Sequence, residues 1–152
     1  MRVIIDGDSQ PEKEKVIALL QKYNIKVILI MSISHYTENI NPYAEVMYVD
    51  NRAQEADIKI MNIVKDDDIV ITADTGLSYF LLGKKVVVLN PRGKIFSEKT
   101  AGEKIEIVHL EKKIRRSKKK TRIKGPSSYK NEDLKNLLKT LEYLILKYNR
   151  NL

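Results

Sequence analysis

The sequence predicts an α/β fold in three layers, with a mainly parallel central sheet covered by helices on both faces. Three observations carry that expectation. Short apolar runs recur at 3–5, 26–31, 45–49, 69–72 and 86–89. Stretches of helical length and period separate most of them, the order expected of a parallel sheet. Two of the runs pass straight into aspartate, as Arg2-Val-Ile-Ile-Asp6-Gly-Asp8 and as Asp68-Ile-Val-Ile-Thr-Ala-Asp74. In such folds the chemistry sits at the carboxyl ends of the strands.

Val3 to Ile5 is the first strand. Pro11 suits an early helical position, and Val16, Leu19, Leu20 and Tyr23 follow at i, i+3, i+4 and i+7. Asn24 closes that helix and Lys26 to Met31 forms the second strand, with 32–42 loop-like and Glu45 to Val49 the third strand. Glu55 to Val64 reads as helix through Ile60, Met61 and Val64, and Asp66-Asp67-Asp68 as a solvated turn before the strand Ile69 to Thr72. A short helix over 76–82 is expected to end at Gly83 in a left-handed cap. Val86 to Leu89 is a strand and Asn90-Pro91-Arg92-Gly93 a loop. Ser97 suits the cap of a following segment, and Ile107, Leu110 and Ile114 suggest a helix leading into a basic run. The terminal helix, about 131–149, has the strongest period in the chain, through Leu134, Leu137, Leu138, Leu141, Leu144, Ile145 and Tyr148. That stripe suits either the protein's own core or a second copy, so the oligomeric state stays open.

At 152 residues the chain reads as one domain spanning 1–152, long enough to bury roughly two thirds of its unfolded surface. With no cysteine, disulfides, thiolate nucleophiles and cysteine-ligated zinc are excluded. Asp6 breaks the first apolar run at once, so no signal peptide is read, and no stretch approaches the roughly 18 apolar residues of a membrane span. A cytoplasmic protein is expected.

The net charge of +8 is concentrated. Residues 111–124 hold nine Lys/Arg and one Glu, which leaves 19 basic and 19 acidic side chains elsewhere. A balanced body with one cationic segment points to a polyanion, through Arg115, Arg116, Lys118, Lys119, Lys120, Arg122 and Lys124. A solvated basic loop is the plain alternative.

The carboxylates carry the chemical signal. Asp6 ends the first strand, and Asp8, two residues on, points to the same side in extended geometry. A turn explains Gly7 better than it explains two acids. Asp57 lies on the apolar side of its helix, where a charge is costly without a cation or donors, although the helix amino end also attracts it. Asp74 ends a strand and starts a helix; it suits an N-cap, unless Thr75 takes that task. Gathered at one sheet edge, these acids would repel each other, and Mg²⁺ or Mn²⁺ is the natural counterion for oxygen ligands. Arg92, in the loop after the next strand, is expected at the same edge, holding a phosphate or pairing with one of those aspartates. His35 and His109 read as isolated.

Asp6-Gly-Asp8, Ala56-Asp57, Asp68 through Asp74, Leu89-Asn-Pro-Arg-Gly93 and Lys124-Gly-Pro126 together resemble the pattern of the YaiI/YqxD (UPF0178) family of bacterial proteins. The resemblance runs in order over nearly the whole chain. It implies a PIN-like domain and, by analogy, a metal-dependent ribonuclease site, with Mg²⁺ or Mn²⁺ on Asp6, Asp57 and Asp74 and Asp8 as a supporting or general-base group. The chain departs from the pattern at Ser9, where many members have cysteine, at Gln54, where an aspartate is frequent, and at Thr75-Gly76 in place of Ile-Pro. Two rivals remain: a nucleic-acid-binding module without catalysis, and a phosphatase of the haloacid-dehalogenase type suggested by Asp6-x-Asp8. Gln10 stands where the latter motif has Thr or Val, which weakens it.

Overall fold

A computed structural model describes residues 1–97 and 127–151. The elements are β1 (Arg2–Asp6), α1 (Lys13–Lys22), β2 (Lys26–Ser32), a 3-10 turn (Ile33–His35), β3 (Glu45–Val49), α2 (Glu55–Ile63), β4 (Ile69–Ile71), α3 (Thr75–Leu81), β5 (Val87–Leu89) and α4 (Asn131–Arg150). The five strands form one parallel sheet in the order β3-β2-β1-β4-β5. The three-layer α/β/α expectation holds. The chain winds outward from β1 to β3, then returns to the other side of β1 for β4 and β5, so the strand order reverses between β1 and β4.

Burial on both faces explains the unbroken apolar runs of the central strands. Val3 and Ile5 of β1 join Val27 and Leu29 of β2 on one face, under Val16, Ile17 and Leu20 of α1 and Leu134, Leu137, Leu141 and Ile145 of α4. Ile4, Ile28, Ile30, Val70 and Val88 point the other way, against Ile60 of α2, Leu77 and Leu81 of α3, and Phe96. Each fully buried Leu or Ile contributes about 1.5–3 kcal/mol. The leucine stripe of α4 is therefore core.

Two expectations need correction here. Asp66 and Asp67 are exposed, but Asp68 is only 2% exposed and is no solvated turn residue. Arg2 Nε donates to its Oδ1 at 3.0 Å and Arg2 Nη2 to its Oδ2 at 2.6 Å, while Lys65 N donates to Oδ2 at 2.8 Å. This bidentate pair closes the amino-terminal edge of the sheet between β1 and β4. Gly83 does not adopt the left-handed conformation; Leu82, in the right-handed region, caps α3 instead. Among the described residues, the glycine at positive φ is Gly93, at φ 85°. A Cβ there would stand 2.6 Å from the backbone carbonyl of Asn136, and Thr140 Oγ1 donates to Gly93 O at 2.9 Å. The loop after β5 is thus pressed directly against α4.

The basic segment 111–124, the helix expected through Ile107, Leu110 and Ile114, and His109 lie outside the described residues. Among the described residues, no helix is long and apolar enough to cross a membrane.

Gly93→Ala is expected to destabilise the fold by more than about 1 kcal/mol, since the methyl adds a steric clash to an unfavourable backbone conformation. Asp68→Ala is expected to cost about 2 to 4 kcal/mol by removing the carboxylate, which leaves Arg2 with only the Ile63 carbonyl and the Lys65 N–H without its acceptor. Urea unfolding of each variant measures both.

Candidate active site at the carboxyl edge

Asp6 is the last residue of β1, beside Ile30 of β2, and is 6% exposed. Its carboxylate is held by a side chain that sequence reasoning passed over. Thr72, just after β4, donates from Oγ1 to Asp6 Oδ2 at 2.9 Å, and the same hydroxyl accepts from Asp74 N at 3.1 Å. One hydroxyl thus spans the point where strand order reverses and sets two of the predicted acids against each other. Ser9 makes a parallel link, donating to Asp6 O at 3.2 Å and accepting from Ala73 N at 3.4 Å. The available signal was the Ile-Thr-Ala-Asp spacing, in which the threonine follows a buried strand.

Asp74 is the N-cap of α3: its Oδ1 accepts from Leu77 N at 2.7 Å, so Thr75 does not take that task. Capping uses one oxygen of the pair. Asp57, in the first turn of α2, faces the same region and lines a groove of about 510 Å³ together with Asp74.

The electrostatics join the three acids. Burial pushes the Asp57 carboxyl up to about 6, with Asp74 and then Asp6 adding repulsion. Asp6 is also raised above the ordinary carboxylate range, first by burial; hydrogen bonds from Thr72 and Ser9 oppose the rise, and Asp8 and Asp74 add to it. Asp6, Asp57 and Asp74 are therefore brought within reach of each other's charge.

Asp8 turns toward the end of β2. Both of its carboxylate oxygens lie 3.2 Å from Ser32 N, and Oδ1 lies 3.0 Å from His35 Nδ1. His35 is thus not isolated, since Ser32 Oγ also stands 2.8 Å from Nδ1. The signal for this contact was absent from the sequence, because the 3-10 turn that carries His35 has no periodic pattern.

Arg92 emerges at this edge as expected, lining a cavity of about 330 Å³ with Ser9, Ala73, Asn90 and Tyr129. Its carboxylate partner is different from the one expected. Arg92 Nη1 donates to Asp133 Oδ2 of α4 at 3.0 Å and to Ser127 Oγ at 3.4 Å, and Nη2 donates to Ser127 O. Arg115, Arg116, Lys118, Lys119, Lys120, Arg122 and Lys124 lie outside the described residues.

The donor type suits a hard divalent cation, because carboxylate oxygens repelling one another are what such an ion neutralises. The arrangement is not a ready-made cage. Among the described residues, no three His, Cys, Asp or Glu side chains stand together as a set able to hold a metal ion. One oxygen of Asp6 serves Thr72 and one of Asp74 serves Leu77 N. Holding an ion with all three acids requires their side chains to close in.

The sign of the Asp57 shift gives a stability test. Its folded value, about 6, lies above the unfolded value near 3.8, so the folded state binds more protons between those two values. Stability contributed by this group is therefore lost as pH rises through that window. Asp57→Asn is expected to raise the melting temperature at pH 7.5 and to change it little at pH 4, read by thermal unfolding at both.

The model of the "Uncharacterized BCR, YaiI/YqxD family" matches residues 4–147. A UPF0178 protein of Alkaliphilus metalliredigens is 37% identical over 151 residues, covering 99% of this chain and 96% of that one. One from Staphylococcus saprophyticus is 33% identical over 97% of this chain and 95% of its own, and one from Clostridium tetani 36% over 95% and 97%. No solved structure matches. With the family model spanning the strand-end acids, the capping aspartate and most of α4, the chain belongs to the YaiI/YqxD (UPF0178) family.

Proposed function

We propose that the carboxyl-edge crevice is the active site of a metal-dependent, PIN-like phosphodiesterase acting on nucleic acid, RNA before DNA. One observation carries this reading: three acids from separate elements meet at the strand-order reversal, where the charge of Asp74 adds to the raised carboxyls of both Asp6 and Asp57 and that of Asp6 to Asp57. Such convergence costs stability, and a cation on those oxygens would relieve it.

Asp6, Asp57 and Asp74 are the residues that would hold Mg²⁺ or Mn²⁺. When bound, the ion supplies an activated water and neutralises charge on the leaving oxygen. Thr72 keeps the Asp6 carboxylate oriented, and the cap on Leu77 N keeps Asp74 at the helix start. Asp8 accepts a proton as general base, its orientation set by Ser32 N and His35. Arg92 meets a backbone phosphate, exchanging its hold on Asp133 and Ser127 for the ligand. The cationic run from Arg115 to Lys124 extends the phosphate contacts along the strand.

A second reading has its own support. Asp6, Asp8 and Asp74 each accept a hydrogen bond that a purely structural role would explain, which suits a nucleic-acid-binding module without catalysis. Calorimetric titration with Mn²⁺ separates the two: the nuclease takes up the ion at these carboxylates, and the module does not. Asp6→Asn and Asp74→Asn keep an acceptor for Thr72 and for Leu77 N. Each is expected to lower Mn²⁺-dependent cleavage of single-stranded RNA by roughly 100-fold or more while leaving the circular dichroism spectrum unchanged. Undiminished cleavage by the folded double variant removes the nuclease reading.

A further inference from the structure

The groove between α2 and α3 begins at the acids and continues as an apolar slot. Asp57 and Asp74 line one part of it, beside Gly76; Ile58, Met61, Leu77 and Phe80 line the apolar part, with Gln54 just before α2. Its volume of about 510 Å³ lies within the range of small-ligand pockets. Phe80 is 53% exposed and Ile58 45% exposed, although both belong to helices with ample core to join. Lys84 Nζ stands 5.7 Å from the centre of the Phe80 ring but does not line this groove. Gln54 adopts φ 68° and makes no side-chain cap for α2, so its amide is not spent on the helix end. An exposed ring and an amide in continuity with the proposed phosphodiester site are the parts that a nucleobase contacts by stacking and edge hydrogen bonds.

We propose that this groove seats one nucleobase of the polynucleotide whose backbone lies at the carboxylates, stacked on Phe80 and met at its edge by Gln54. The proposal rests on the reading of the crevice as a nucleic-acid site and adds where the base goes. It implies a single-stranded substrate, because a base held in a duplex cannot reach a groove between two helices.

The chain contains no tryptophan, so Phe80→Trp installs a single fluorescent reporter in the slot. Ten-nucleotide oligouridylate, end-labelled for anisotropy, is titrated in without metal, alongside an abasic strand of the same length. The expected result is quenching of the introduced indole that saturates together with the anisotropy and is missing with the abasic strand. Phe80→Ala, at an exposed position, is expected to weaken oligouridylate binding roughly 5- to 150-fold, the range of one base–aromatic stack. Binding without quenching, together with Phe80→Ala binding at full strength, overturns the base seat while leaving a nucleic-acid site in place. Quenching and weakened binding without any Mn²⁺-dependent cleavage support the base seat and remove the nuclease reading. Absence of oligouridylate binding both without metal and with Mn²⁺ overturns both.

Discussion

The hydrogen bond from Thr72 Oγ1 to Asp6 Oδ2 is the contact on which the carboxyl edge depends. A buried carboxylate at the end of β1 needs a donor, since an unpaired buried charge is among the most costly features a fold can carry. Thr72 supplies it from the neighbouring strand across the reversal of strand order, and the same oxygen anchors the backbone of Asp74. Without this link β1 and β4 still pair through Val3, Ile4 and Ile5, and Ser9 still ties Asp6 O to Ala73 N, but the Asp6 carboxylate and the Asp74 backbone lose the hydroxyl they share.

The two ends of the sheet treat charge in opposite ways. At the amino edge Arg2 and Asp68 form a closed bidentate pair, with Lys65 N completing the acceptor. Opposite charges and a full set of donors balance the buried carboxylate at that end. At the carboxyl edge like charges accumulate, and Asp57 and Asp6 are raised by burial and by their neighbours. Stability is thus secured at one edge and given up at the other, which is the physical ground for the proposal made for the carboxyl edge.

What could be read from the sequence divides along physical lines. Strands 3–5, 26–31 and 69–72 and the α4 stripe were legible because burial writes its own period into the chain. Asp6, Asp57 and Asp74 were legible because a polar group interrupting an apolar pattern asks for a reason. Asp68 was misread: three aspartates in a row look solvated, and only the fold brings Arg2, distant in sequence, to the middle of the sheet edge. His35 and the Asp133 partner of Arg92 were hidden for the same reason, being contacts of long separation without periodicity. Gly83 and Gly93 traded roles because a glycine after a helix suggests a cap, whereas the real demand was close packing of a loop against a helix backbone.

That close packing has a mechanical consequence. Gly93 leaves less than a methyl's room against Asn136, while Asp133 grips Arg92 one turn earlier and Thr140 binds Gly93 one turn later. Three successive turns of α4 are therefore indexed to a single loop, like teeth against a pawl. A residue inserted between Asp133 and Asn136 would put the Asp133 contact with Arg92 about 100° out of step with the Gly93 approach and the Thr140 bond. The register of the long terminal helix on the sheet is thus set by the bare backbone of one glycine.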